Sequence, residues 1–375
     1  MTSPTTHTFS NGRPRRALVA RRSCLAAVVG ALVATTAACG SSTGSTPAGS
    51  SGSGASGASG AQSTARLTVY TDQHAELIQG LAKAYTAKTG VQFNIQNDAT
   101  PGQIQAEGSA SKADLFLSED PGPIARLGKQ GLLTPVDQST LAQVRPGLNS
   151  AKGLWVAYAA RARVLYYNPT KIKVDALPQR LADITKPEYK GKFAWAPSGA
   201  FVATTQYLIS TIGMAKTTTF LKAIKANGVN EQKNGNVRDT VEAGTHAMGL
   251  SNHYYWWVLA GQKGGPDKLT SKIFHFPETD PGNLILSSGA GVLKSSKHVG
   301  EAQKFLAWLT AKDGGQQVVA GPADVSEGQY PVAPGVASSV AGSLDGIKSP
   351  KYDMDIFANS SQAEDLLKQL GMSQG

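Results

Sequence analysis

Tyr254 and Tyr255 are adjacent, preceded by Ser251, Asn252 and His253 and followed by Trp256 and Trp257. Neighbouring side chains on a strand point to opposite faces, whereas at a loop-to-helix junction they diverge less. The apolar run 256–260 reads as helix, with Ser251 or Asn252 as its cap, so both phenol oxygens could reach one point. Two phenolates at one point repel unless a cation lies between them. The same stretch also reads as an aromatic cluster with the tryptophans in the core. Two more groups stand where short strand patterns end: His74 after 67–71 and Glu119 after 114–118. Ligand groups collect at the carboxyl ends of strands in open α/β sheets. Taken singly, each has a plain role, as a cap or a solvated side chain. Taken with the tyrosines, they make a set of one imidazole, one carboxylate and two phenols.

The elements that must position this set follow from periodicity. Residues 67–71 and 91–95 alternate as strands, and between them Leu77, Leu81 and Tyr85 mark one helix face ended by Gly90. Strand patterns recur at 114–118, 193–196, 247–250 and 284–293. Helices are expected from Pro121, from Ser198 to about Ile212, along the face of Ala302, Phe305, Leu306 and Leu309, and over 362–370. Alternating strand and helix patterns predict an α/β fold with a parallel sheet covered on both faces. At 375 residues the chain is long enough for two lobes. The phrase Ser287–Ser288–Gly289–Ala290–Gly291 is no dinucleotide fingerprint in its context, and no nucleophile elbow, HExxH or Walker loop is present.

Five arginines, Arg13, Arg15, Arg16, Arg21 and Arg22, carry half of the formal net charge of +10. What remains is modest and forms no stripe interleaved with aromatics, so no nucleic-acid partner is expected. Cys24 and Cys39 are the two cysteines and both precede the globular part, which excludes a disulfide or a cysteine-based metal site in it. Residues 1–38 combine a basic start with a short apolar stretch and read as an export signal, with Arg21–Arg22 faintly like a twin-arginine pair. Thr36, Ala37 and Ala38 before Cys39 resemble a bacterial lipobox, which makes Cys39 the lipidation site. Residues 39–65 are rich in Gly, Ser and Ala and read as a flexible tether. The location these features predict is exported and lipid-anchored at the outer face of the cell membrane, or periplasmic.

Val69–Tyr70–Thr71–Asp72–Gln73–His74, Ala113–Asp114–Leu115–Phe116–Leu117–Ser118–Glu119 and Asn252–His253–Tyr254–Tyr255–Trp256 occur in this order. So do Arg161–Ala162–Arg163–Val164, Ser198–Gly199–Ala200–Phe201, Asp280–Pro281–Gly282 and Tyr330–Pro331. Together they resemble the bacterial periplasmic ferric-ion-binding proteins, transferrin-like two-lobe solute-binding proteins of ABC importers, over nearly all of residues 66–370. The resemblance implies a two-lobe periplasmic-binding-protein fold with the ligand cleft between lobes. Lobe 1 would hold 66–160 and 284–328, and lobe 2 would hold 161–283 and 329–375. It implies Fe3+ held by His74, Glu119, Tyr254 and Tyr255, two positions of six being left for an anion or water. Ser198, Gly199, Ala200, Asn234 and Asn252 would cradle a synergistic phosphate or carbonate, with Asn236 a rival to Asn234. The family often has Gln after the glutamate; here Asp120 stands there, which puts a carboxylate where the anion would lie. The implied partners are an ABC permease and its ATPase, the chain is a monomer, and it is no enzyme. A binding protein for a phosphonate or polyamine is the nearest rival reading; a secreted hydrolase or a cell-wall structural lipoprotein is the more distant one.

Overall fold

Strand β1 (Arg66–Thr71) alternates only as far as Val69 and is buried from there to Thr71, and α1 (Ala75–Thr89) buries Leu77, Ile78, Leu81 and Tyr85 on one face. Gly90 ends α1 at φ 82, a left-handed conformation that lets its N–H return to the Thr86 carbonyl. The computed structural model describes residues 65–373, so the expected signal, Cys39 and residues 40–64 lie outside the described residues. After α1 come β2 (Gln92–Gln96), α2 (Pro101–Glu107), β3 (Leu115–Ser118), α3 (Pro121–Lys129), β4 (Leu133–Thr134) and α4 (Gln138–Leu141). The middle of the chain holds β5 (Val156–Tyr167), β6 (Phe193–Trp195), α5 (Gly199–Ile212), α6 (Met214–Asn227), β7 (Val229–Asn230) and α7 (Asn234–Glu242). Then follow β8 (Met248–Asn252), α8 (His253–Lys263), β9 (Lys272–Phe274), β10 (Ile285–Leu293), α9 (Val299–Thr310), α10 (Gly315–Val319), α11 (Ala323–Ser326) and α12 (Ser361–Gln369).

The strands run in the order β2-β1-β3-β10-β5-β8-β6-β7, with β4 beside β10 and β9 beside β5. This corrects the all-parallel expectation. The flanks are parallel, β1 with β2 and β3, and β6 with β7 and β8. The centre is antiparallel, β10 with β3 and β5, and β5 with β8. Alternating strand and helix patterns fix only local crossovers. The direction in which β10 returns is set by packing between distant segments.

Strand β5 changes partner along its length. Val156–Ala162 pairs with β10, and Arg163–Tyr167 pairs with β8. Two large apolar cores flank this change. One gathers Leu67, Leu77, Phe116, Trp155, Phe305 and Leu309 around β1, β3, α1 and α9. The other gathers Phe193, Trp195, Leu221, Met248, Leu250 and Leu367 around β6, β8, α6 and α12. Among the described residues no helix is long and apolar enough to cross a membrane.

Candidate functional site

His74 takes the N-cap position of α1, but its side chain makes no capping bond. The end of β1 is tied to the end of β3 at two points. Thr71 Oγ1 donates to the Leu117 carbonyl (2.7 Å), and the Glu119 N–H donates to Asp72 Oδ1 (2.7 Å). The loops bearing His74 and Glu119 are thereby held together.

The tyrosines lie in the first turn of α8 rather than ahead of it. Asn252 is the N-cap residue, yet it does not cap with its side chain, which accepts from Arg163 Nη1 at 2.7 Å. His253 is fully buried; its Nδ1 accepts from the Ala162 N–H (3.2 Å) and its Nε2 donates to the Gly328 carbonyl (2.9 Å). Burial takes its pKa down to about 3, so it is a neutral strut that fixes the start of α8.

Three of the expected residues meet. The Tyr254 hydroxyl donates to Glu119 Oε1 at 2.9 Å and lies 3.5 Å from His74 Nε2, which is itself 3.6 Å from Glu119 Oε1. The Tyr255 ring lies beside that of Tyr254 at a centroid distance of 4.2 Å. Tyr254 is 1% exposed. Among the described residues no group of three His, Cys, Asp or Glu side chains is placed to hold a metal ion.

The electrostatics follow from burial and proximity. Burial alone would raise the Glu119 carboxyl, but the neighbouring His74 and the Arg161 charge bring it down to about 2. Burial would lower His74, and the nearby carboxylates of Glu119 and Glu327 lift it above its ordinary value. Burial and then the Glu119 charge push both tyrosines up, Tyr254 far above 10.0. In the free protein the phenols are therefore neutral and the carboxylate is ionised. A multivalent cation is what would ionise them, because its charge is the largest in the site.

Arg161 was not foreseen as a site residue. It is fully buried, donates to the Glu119 carbonyl and pairs with Asp120 Oδ1. A signal was present: Arg161 and Arg163 stand two apart in an otherwise apolar strand, hence on one face of it. Asp120 takes the N-cap position of α3 without capping it. Its other oxygen, Oδ2, lies so close to Gly199 that a Cβ there would overlap it. Asp120 thus sits at the first turn of α5, where backbone amides favour negative charge. Ser198 caps α5, its Oγ accepting from the Phe201 N–H at 3.3 Å, and Ala200 is buried in the same turn. Asn234 opens α7, is buried, and its Oδ1 has no partner. Asn236 is exposed and donates to the Glu231 carbonyl (2.9 Å).

The chain matches the bacterial extracellular solute-binding protein family over residues 71–316. It belongs to that family. It is 36% identical over 311 residues to the Fe(3+)-binding periplasmic protein of Serratia marcescens, covering 82% of this chain and 90% of that one. It is 34% identical over 315 residues to the major ferric iron-binding protein of Neisseria meningitidis serogroup A, covering 82% and 93%. Its fold superposes with a TM-score of 0.75 on iron-bound HitA from Pseudomonas aeruginosa, at 35% identity over 82% of this chain and 99% of that one. The Trichodesmium protein IdiA (FutA), solved with iron and citrate, superposes with a TM-score of 0.69 at 25% identity, covering 82% and 100%. The mixed α/β periplasmic-binding-protein fold expected from the sequence is therefore the fold of this solute-binding protein.

Proposed function

We propose that this solute-binding protein captures ferric iron and delivers it to the permease and ATPase of an ABC importer, as a binding protein and not an enzyme. The observation that carries this reading is the meeting of Tyr254, Glu119 and His74, from three distant segments, within 2.9–3.6 Å. Hard cations prefer oxygen donors in octahedral arrangement. Tyr254 and Tyr255 as phenolates, with Glu119, balance three positive charges, and His74 adds a neutral nitrogen. The names of the relatives point the same way. The two lobes are 66–160 with 284–328 and 161–283 with 329–375; the change of partner in β5 supports a division there. The site lies in the cleft between them. Cys39 carries lipid and residues 40–64 tether a monomeric body outside the cell membrane.

The synergistic anion is the point where this chain leaves the expected pattern. Asp120 lies against Gly199 and is paired with Arg161, so it supplies the negative charge that an exogenous phosphate or carbonate would bring. Ser198, Gly199, Ala200, Asn234 and Asn252 then frame an internal carboxylate, and Asn252 is committed to Arg163. Water or a small carboxylate completes the coordination. The test is to add ferric citrate to protein lacking residues 1–64, remove excess with a chelator, and record the visible spectrum and bound metal. A phenolate-to-iron band is expected, weakened or lost in both Tyr254→Phe and Tyr255→Phe. A colourless, metal-free protein would refute the reading.

A further inference from the structure

On the side away from Tyr254, the His74 ring meets a second carboxylate. Its Nε2 faces the Tyr254 hydroxyl (3.5 Å) and Glu119 Oε1 (3.6 Å), whereas its Nδ1 lies 3.2 Å from Glu327 Oε2. The Glu327 side chain is 15% exposed. Glu327 follows α11 at φ 55, a left-handed conformation that few non-glycine residues adopt. The turn is tied down on both sides. The hydroxyl of buried Ser326 donates to the Gly321 carbonyl (2.8 Å) and accepts from the Gly328 N–H (3.0 Å). The Gly328 carbonyl accepts from His253, and Tyr330 exchanges two backbone bonds with Ala160 of β5 (2.8 and 2.9 Å). One short turn therefore touches His74 through residue 327 and the start of the tyrosine helix through residue 328.

We propose that Glu327 is a positioning residue for metal capture: it holds the single proton of the His74 ring on Nδ1 and leaves the Nε2 lone pair facing Tyr254 and Glu119. A neutral imidazole has one N–H to give, and the nearer acceptor takes it: Glu327 Oε2 lies 3.2 Å from Nδ1, whereas Glu119 Oε1 lies 3.6 Å from Nε2 and already accepts from Tyr254. Carboxylates orient metal-binding imidazoles in this way, and losing such a partner costs about 10- to 100-fold in metal affinity. The role rests on the ferric reading above, but the state of the ring can be measured without metal.

Long-range 15N–1H spectra of the metal-free protein should show His74 with its proton on Nδ1. In Glu327→Ala the ring should become a mixture of tautomers, and ferric affinity, measured against citrate, should fall about 10- to 100-fold. Glu327→Gln keeps an acceptor oxygen and should retain the native tautomer with a smaller loss, which separates positioning from misfolding. In a His74→Ala background, Glu327→Ala should cost little more. The proposal is overturned if Glu327→Ala keeps the native tautomer, or if it lowers affinity as much without His74 as with it. Absence of iron binding in the unaltered protein would instead sink the ferric reading while leaving the tautomer result standing.

Discussion

Each ligand candidate enters the site in its own protonation state, and that decides how binding responds to pH. Tyr254 and Tyr255 lie above their ordinary value of 10.0, so both hold protons in the free protein at neutral pH. Glu119 is held at about 2 and has none to lose. His74 lies above 6.5 and holds an extra proton only below its raised value. Ferric iron takes the deprotonated forms, so its affinity must rise with pH. The logarithm of the affinity should climb by about two per pH unit above the His74 pKa and about three below it. Chelator competition across pH 5 to 8, corrected for protonation of the chelator and for ferric hydrolysis, checks this; a slope near one would mean that a single tyrosine binds. Asp120 answers to a different test. Added phosphate should leave ferric affinity nearly unchanged in the native protein. In Asp120→Gln it should raise affinity by about tenfold or more, the worth of a hydrogen bond to a charged group. Equal phosphate dependence in the two would remove Asp120 from the anion position.

At the scale of elements, the first turn of α5 separates capping from close approach. Ser198→Ala removes the cap and should cost about 1 kcal/mol in urea unfolding. Gly199→Ala should cost about 1–3 kcal/mol because the new methyl overlaps Asp120, and it should lower ferric affinity as the carboxylate is pushed aside. If Gly199→Ala proves as mild as Ser198→Ala, the carboxylate has room to move. The end of α1 and the start of α5 were legible in the sequence because Gly90 and Ser198 are terminal residues with specific geometry. The strand before Glu119, buried at every position, shows as a short apolar run. The convergence of His74, Glu119 and Tyr254 was legible only through the resemblance, since strand ends carry polar residues in any α/β fold. The partnership of Arg161 with Asp120 was not legible, because a charge pair forty-one positions apart leaves no periodic trace. Nor was the antiparallel centre, or the reach of Glu327 across to His74.

For the whole molecule, Cys39→Ala should move the protein from the membrane fraction to the soluble one or leave it unprocessed; unchanged fractionation would refute the anchor. A different consequence follows from where β10 sits. It is hydrogen-bonded to β3 on one side and to β5 on the other, yet it is made more than a hundred residues after either. Until Ile285–Leu293 has emerged, β3 and β5 each lack a neighbour and the sheet has a gap at its centre. Folding of such a chain is late and slow, because contacts far apart in sequence require large loops to close first. Nascent chains truncated before Ile285 should therefore be cut by pulse proteolysis along their whole length, and those extending past Leu293 should acquire resistance together across both halves. A chain that stays unfolded until its last quarter is being made is one that an export channel for unfolded polypeptides can still thread.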